Sequence, residues 1–278
     1  ASLAAYAAQA GMTAVVLVPA GKIALGKMAQ SLAYGARTLL VDGDFDDCLR
    51  LVESAGDELG IYLVNSINPF RLEGQKTIVL ELLRQLDWQV PDWIVLPAGN
   101  LGNTSAFGKA LVEAKEWGLI PRLPRLAAIQ AEGAAPFAAS FSRGFDRLEP
   151  VAAETIATAI RIGAPASFQR GVRAIRETDG VVLAVSDAEI LEAKAIIDGA
   201  GVGCEPASAA SAAGVRRLVA SGRIRRGESV VAVLTGHLLK DPGTVERMHG
   251  DPALVEHPNR PIQVAPTMSS IRAALALP

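Results

Sequence analysis

The stretch 92–103, "DWIVLPAGNLGN", joins an apolar run to a loop of small residues, and the helical pattern "TSAFGKALVEAKEW" begins at position 104. An apolar run, a turn and a helix in this order predict one unit of a parallel α/β sheet. Glycine permits positive φ and a close approach of the backbone to a ligand, and the start of a helix offers free N–H groups. The loop 97–103 is therefore a candidate anion site.

The residues alone leave two interpretations of this loop open. Asn100 and Asn103 would add side-chain amides to a phosphate site without adding charge, whereas Gly99 and Gly102 would equally suit a plain strand-to-helix turn. The spacing matches neither the Walker loop nor the G-x-G-x-x-G dinucleotide fingerprint. No such fingerprint follows the first predicted strand, so a nicotinamide-dependent Rossmann enzyme is a distant alternative.

Short β-type runs alternate with helical patterns along most of the chain. This alternation favours open, twisted parallel sheets with helices on both faces, the three-layer α/β class. We predict two such domains, a smaller one at 1–68 and a larger one at 69–278 that contains the candidate loop. In the larger domain, helices are predicted over 151–161 and 167–178. The segment 132–150 is rich in Gly, Pro, Ser and Phe, which predicts a long irregular lid or binding loop.

The composition excludes several classes of function. Of 278 residues, 50% are hydrophobic, and 27 basic against 29 acidic residues leave a net charge of −2. Neither a basic stripe nor an apolar run long enough for a bilayer occurs, so we expect no nucleic-acid partner and no membrane span. Cys48 and Cys204 lack metal-ligand spacing, which predicts no metal site and a reducing, cytoplasmic setting.

Polar residues gather at two further predicted strand ends. Asn65, Ser66 and Arg71 would suit a phosphate or a carboxylate, although a polar turn between domains explains them at least as well. Thr235 and His237 follow the last strong strand, where open α/β sheets bind ligands, but a lone histidine is more often structural than catalytic.

Two serines are predicted at helix starts. Ser186, with Glu189 three residues later, is typical of a capping box. Ser208, near the start of the next predicted helix, is better explained as a helix cap than as part of a site.

Six motifs in order resemble the threonine synthase family, whose members are pyridoxal-phosphate enzymes of fold type II, the tryptophan-synthase-β-like fold. They are "PAGKIALGK", "NSINPFRLEGQKT", "PAGNLGN", "AIRIGAPAS", "CEPASAAS" and "LTGHLLKDP". The resemblance extends to about residue 247. Related deaminases and cysteine synthases carry an all-glycine phosphate loop, so the asparagines here favour threonine synthase.

The resemblance implies a role for each candidate residue. The cofactor's phosphate would be held by Gly99, Asn100, Leu101, Gly102 and Asn103, and its pyridine nitrogen would face the hydroxyl of Thr235. The phosphate of the substrate would be held by Asn65, Ser66, Arg71 and Asn100. Glu205, Ser208 and His237 receive no definite role.

The function implied is conversion of O-phospho-L-homoserine and water to L-threonine and phosphate by a cytoplasmic homodimer. Two alternatives stay open. One is a threonine or serine deaminase of the same fold, which acts on a substrate without phosphate. The other is an inactive remnant that binds small molecules without pyridoxal phosphate.

The sequence departs from the family pattern in one respect. The family binds its cofactor as a Schiff base on a lysine and uses a Ser/Thr-Gly-Asn-Thr turn, and neither motif occurs in these 278 residues. The resemblance implies that both lie upstream of Ala1. We therefore expect a chain that is incomplete at the N-terminus, holds no catalytic residue of its own, and is inactive by itself.

Overall fold

The computed structural model describes residues 1–20, 25–43, 45–64, 68–251, 253–256 and 258–275. The first part contains α1 (Ser2–Gln9), β1 (Val15–Pro19), α2 (Leu25–Ala33), β2 (Arg37–Val41) and α3 (Phe45–Leu59). The middle part contains α4 (Phe70–Gln85), β3 (Trp93–Pro97), α5 (Gly102–Glu116), β4 (Arg125–Ala131), α6 (Pro136–Ser142), α7 (Phe168–Glu177) and β5 (Val181–Val185). The last part contains α8 (Asp187–Gly199), α9 (Pro206–Ala220), β6 (Val230–Ala232), α10 (Pro242–Gly250) and α11 (Met268–Ala274).

The strands form two parallel sheets. β1 pairs with β2 from Val15 opposite Arg37 to Pro19 opposite Val41. The other four strands form one sheet in the order β5-β4-β3-β6, with every pair parallel. The prediction of an α/β fold with parallel sheets is confirmed. The two sheets lie on opposite sides of residue 68 in the sequence, and the division into domains at that residue stays a prediction.

The larger sheet is covered on both faces. Alternate residues of β3 point to opposite sides, because side chains in a strand alternate. Ile94 and Leu96 pack with Phe107 of α5 in one core, whereas Trp93 and Val95 pack with the small residues of α9 in another. All five residues of β3 are buried, which is expected for a strand inside a three-layer sheet.

Small residues let the helices on one face come close together. A Cβ added to Gly108 of α5 would lie 2.4 Å from the Cβ of Ala174 on α7, so a larger residue does not fit there. This contact packs the middle of α5 directly against the second half of α7.

Two local predictions are wrong. The segment 132–150, expected to be irregular, contains a 3₁₀ turn at Glu132–Ala134 and the helix α6. The helix expected over 151–161 is absent apart from a 3₁₀ turn at Thr158–Ile160. The backbone N–H groups of this segment bond outside a helix. Val151 N donates to the Gly163 carbonyl oxygen at 3.1 Å, and Glu154 N donates to the Gly133 carbonyl oxygen at 2.9 Å.

The capping box at the start of α8 is confirmed, since Ser186 Oγ accepts from Glu189 N and the Glu189 carboxylate accepts from Ser186 N. Within the described residues, no helix is both long enough and apolar enough to cross a bilayer.

Candidate functional site

A cavity lies at the carboxyl end of β3, beside its neighbour β6. The chain leaves β3 toward β4 on one side, while β6 pairs on the other side, so the two loops diverge and leave a crevice between them. Ligands of open α/β sheets bind at such points. The described residues that line the cavity include Arg71, Gln75, Gly99, Asn100, Leu101, Gly102, Asn103, Ser167, Ala207 and Thr235. The structure thus brings the loop 99–103, Arg71 and Thr235 together.

The candidate loop owes its shape to a leucine as well as to its glycines. Leu101 has φ 64°, in the left-handed region, and it immediately precedes α5. Gly99 and Gly102 do not have positive φ, so in this loop Leu101 has the conformation that glycine would permit. Leu101 is buried in the core, and this packing holds a conformation that costs an ordinary residue about 1–2 kcal/mol.

Gly99 allows the loop to pack closely against the backbone of residues 159 and 160. A Cβ at this position would lie 3.1 Å from Ile160 Cα and 3.2 Å from the carbonyl oxygen of Ala159. The 3₁₀ turn at Thr158–Ile160 therefore presses against the loop. A side chain at position 99 would therefore require one of these backbones to move by a few tenths of an ångström.

The two asparagines of the loop bind neighbouring segments. Asn100 Oδ1 accepts from Ala166 N at 3.1 Å, and the Asn100 carbonyl oxygen accepts from Ser167 N at 3.1 Å. Asn103 Oδ1 accepts from Gln75 Nε2 of α4 at 2.8 Å. The loop is thus attached to the starts of both α4 and α7.

The first turn of α5 contains a buried hydroxyl whose hydrogen-bonding capacity is unused. Thr104 is fully buried, and its Oγ1 has no hydrogen-bond partner among the residues described. Buried polar groups are nearly always bonded, so this group fits a ligand oxygen bound at the helix start. The helix dipole favours an anion at the same place.

Thr235 also lines the cavity and is bonded to α9. Its Oγ1 lies 2.9 Å from Ser208 Oγ, and Ser208 Oγ also accepts from the backbone N–H groups of Thr235 and Gly236. The prediction that Ser208 caps its own helix is wrong, because α9 begins with Glu205 as N-cap and has no side-chain cap. The hydroxyl instead joins two segments 27 residues apart.

The remaining predicted residues occupy different positions. Arg71 is exposed in the first turn of α4, at the cavity wall, whereas Asn65 and Ser66 lie outside the described residues. His237 Nδ1 accepts from Leu239 N at 3.2 Å and so caps a 3₁₀ turn, in line with a structural histidine. No cluster of three or more metal-ligating side chains occurs within the described part of the chain.

A family model described as "Pyridoxal-phosphate dependent enzyme" matches residues 1–236. The chain belongs to this family. Pyridoxal phosphate is accordingly the family's cofactor, and two features of the cavity fit it: the helix start behind the loop, and Thr235 in the cavity wall. The buried Thr104 hydroxyl in the first turn of the same helix has no partner among the residues described.

Curated relatives within the family are named threonine synthase. The protein of Methanosarcina acetivorans is 51% identical over 258 residues, and that of Methanocaldococcus jannaschii is 48% identical over 258 residues. Each alignment covers 92% of this chain and 64% of the relative. The protein of Synechocystis is 46% identical over 253 residues, covering 90% of this chain and 63% of its own. This chain therefore spans somewhat less than two thirds of these relatives.

Solved structures of other proteins share the fold. Maize serine racemase superposes with a TM-score of 0.73 at 22% identity, covering 88% of this chain and 72% of its own. The processed form of threonine deaminase isoform 2 from Solanum lycopersicum superposes with a TM-score of 0.69 at 20% identity, covering 84% of this chain and 66% of its own. At these identities the likeness establishes the fold, which is that of fold type II.

The structure adds residues to the site that sequence reasoning gave no role. Ser167 and Ala207 line the cavity, and Thr104 offers the unused hydroxyl. Ser167 and Ala207 lie within motifs that resemble the family, which was the available signal. For Thr104 the signal was its place in the first turn after the loop.

Proposed function

We propose that the protein is a threonine synthase, converting O-phospho-L-homoserine and water to L-threonine and phosphate. The observation that carries the proposal is the 46–51% identity to relatives of that name over 90–92% of this chain. The cavity supports it, because the loop 99–103, Arg71 and Thr235 line the same space.

The cofactor would bind between the loop and Thr235. Its phosphate would accept hydrogen bonds from the backbone N–H groups of Gly99–Asn103 and the start of α5, with the Thr104 hydroxyl as a further donor. The Thr235 hydroxyl would face the pyridine nitrogen and hold the ring without adding charge. When bound, pyridoxal phosphate supplies the electron sink that makes the Cα proton of an amino acid acidic.

The substrate's phosphate would bind beside the cofactor. Arg71 offers a guanidinium group, which suits the tetrahedral oxygens of a phosphate. Asn100 has its carboxamide oxygen bonded to Ala166 N, so its amino group would be the donor toward the substrate. Asn65 and Ser66 are proposed as further donors from the preceding segment. Negative charge grows on the phosphate as it leaves, and these donors would stabilise that charge.

We propose that the Schiff-base lysine, which the family resemblance implies, comes from another part of the protein. No lysine is among the described residues that line the cavity. Lys76 and Lys240, for example, bind Glu113 and Gln30. Inactivity of these 278 residues alone, a homodimeric assembly and a cytoplasmic location stay predictions.

An assay on the complete gene product tests the proposal. We expect stoichiometric release of inorganic phosphate and L-threonine from O-phospho-L-homoserine, with little keto acid released from L-threonine. Keto acid and ammonia from L-threonine, without phosphate release from phosphohomoserine, would establish a deaminase instead. A purified product that neither absorbs in the visible range nor binds added pyridoxal phosphate would establish the cofactor-free binding remnant.

A further inference from the structure

Gln75 is a cavity residue to which the proposed function gives no role. It lies on α4 four residues after Arg71, and residues at this spacing share one face of a helix. Both side chains line the cavity, together with the loop 99–103. Gln75 therefore lies on the same wall of the cavity as the arginine that we propose for the substrate's phosphate.

The carboxamide of Gln75 contacts two consecutive residues of the loop. Its Nε2 donates to Asn103 Oδ1 over 2.8 Å. Its Oε1 lies 3.5 Å from the point that a Cβ added to Gly102 would occupy, so the amide packs directly against the backbone of the loop. Asn103 belongs to the first turn of α5, where the proposed function places the cofactor's phosphate. Gln75 thus joins the helix of Arg71 to the cofactor end of the loop.

Two further side-chain bonds join α4 to α5, and both lie away from the cavity. Lys76 pairs with Glu113 at 2.7 Å, and Glu73 pairs with Lys109. None of these four residues lines the cavity. Glu113, for example, lies about 16 Å along α5 from the start of that helix. Of the three bonds, that of Gln75 lies at the cavity.

We infer that Gln75 is a positioning residue, which fixes Arg71 relative to the loop and thereby sets the distance between the two bound phosphates. The inference rests on the proposed function, which places the substrate's phosphate at Arg71 and the cofactor's phosphate at the loop. An amide suits this position, because it can bond to the loop without adding charge between two anions. A carboxylate at the same place would repel both phosphates.

The variant Gln75→Leu of the complete gene product removes the bond and keeps the approximate size of the side chain. We expect the dissociation constant of pyridoxal phosphate to rise about three-fold to ten-fold, as for a lost neutral hydrogen bond. KM for O-phospho-L-homoserine, measured at saturating cofactor, should rise by a similar factor because Arg71 is no longer held at the loop. Arg71→Ala, by contrast, should affect the substrate alone. If both constants are unchanged in Gln75→Leu, the inference is wrong.

A double-mutant cycle tests whether Gln75 acts on the substrate through Arg71. In an Arg71→Ala background, Gln75→Leu should change kcat/KM by less than about two-fold, because no arginine is left to position. Its effect on cofactor binding should persist, since that effect depends on Asn103. A fall in kcat/KM that is equally large in both backgrounds would overturn the inference.

Lys76→Met is the matched control. Lys76 is the next residue of α4 and also bonds to α5, but it does not line the cavity. We expect its loss to lower the free energy of unfolding while both ligand constants stay within about two-fold of wild type. If Lys76→Met weakens both ligands as much as Gln75→Leu does, general loosening of α4 is the cause and the inference is wrong.

A shorter amide keeps the test decisive if Gln75→Leu does not fold. Gln75→Asn keeps the polar group but withdraws it by about 1.5 Å, the length of one C–C bond, which is beyond hydrogen-bond reach of Asn103. The variant should lose affinity for both ligands, and wild-type constants would overturn the inference. Failure of the wild-type gene product to bind pyridoxal phosphate, or to release phosphate from O-phospho-L-homoserine, would instead overturn the proposed function.

Discussion

Lys194 Nζ donates to the carbonyl oxygen of Cys204 over 2.7 Å, in a side chain with no exposed surface. The same ammonium group pairs with Asp198 at 2.5 Å, and Asp198 Oδ1 accepts from Cys204 N at 3.1 Å. This clamp fixes the turn that leads into α9 and hence the start of the helix that carries Ser208. Burial raises the pKa of the Cys204 thiol to about 11, so the thiol is expected to be unreactive at neutral pH.

The clamp should contribute strongly to stability. Lys194→Met would leave Asp198 and the Cys204 carbonyl without their buried partner, so we expect a loss of about 2–4 kcal/mol in the free energy of unfolding. Lys109→Met is the control, because Lys109 is also ion-paired but half exposed, and it should cost less than about 1 kcal/mol. Urea titrations of both variants measure the difference. Equal losses would show that the buried bonds have no special role.

Gly99→Ala should damage the cofactor site by steric displacement. The new Cβ would meet Ile160 Cα at 3.1 Å and the Ala159 carbonyl oxygen at 3.2 Å, so we expect the loop to shift away from the turn at Thr158–Ile160. A shifted loop cannot direct its N–H groups at a phosphate, and we expect pyridoxal phosphate to bind about ten-fold or more weakly. Gly74→Ala on α4 meets nothing within 4 Å and should leave binding unchanged. Titration of cofactor absorbance distinguishes the two, and unaltered affinity in Gly99→Ala would disprove the cradle.

Arg71→Ala should affect the substrate without affecting the cofactor. Loss of a hydrogen bond to a charged group typically costs about 1.5–3 kcal/mol, so kcat/KM for O-phospho-L-homoserine should fall about ten-fold to a hundred-fold. The dissociation constant of pyridoxal phosphate should not change. Arg84→Ala, in the last turn of the same helix, is the control and should be kinetically silent. Normal kinetics in Arg71→Ala would remove this arginine from the phosphate site.

The hydrogen bonds of Glu189 at the start of α8 should contribute less to the free energy of unfolding in acid. Burial by itself would raise the pKa of Glu189, but hydrogen bonds from Arg217 and Ser186 outweigh it and keep the pKa below its usual 4.5. Because the folded pKa lies below the unfolded one, ionised Glu189 stabilises the fold above about pH 4.5, and this contribution is lost as pH falls through the folded pKa.

Glu189→Gln isolates that contribution, since glutamine can still complete the capping box. We expect the variant to have a lower free energy of unfolding than wild type at pH 7. The difference in free energy between the two should become smaller below about pH 4.5, as measured by urea titration across pH. Glu192→Gln removes a more exposed pair with Arg216 on the same helix and should change little at any pH. A gap that is constant with pH would contradict the assignment.

Local periodicity was sufficient to predict the strand 93–97 and the helix after it, because both lie in continuous patterns of buried residues. It failed at 151–161, where Ile156 N donates to the Asp187 carboxylate 31 residues away instead of continuing a helix. It also failed for Ser208, whose partners Thr235 and Gly236 come from another strand end. Bonds of this kind depend on the assembled fold, and no local pattern encodes them.

The site residues were also predictable only where a local pattern determines them. The small residues of 97–103 predicted a tight loop, since their spacing is visible in the sequence. The left-handed residue proved to be Leu101, however, because tertiary packing overrides the local preference of glycine for that conformation. Residues 65 and 66 are proposed on resemblance alone.

The strand β6 completes the larger sheet from far along the chain. Asp92 and Ser229, which lie beside the β3–β6 pair and are bonded to each other, are 137 residues apart. A nascent polypeptide therefore emerges from the ribosome with β3, β4 and β5 long before β6 can join them, and until then β3 is an unpaired apolar edge. We expect translation products that stop short of residue 230 to aggregate, and the capacity to hold the coenzyme to arise late in synthesis, once Thr235 has left the exit tunnel.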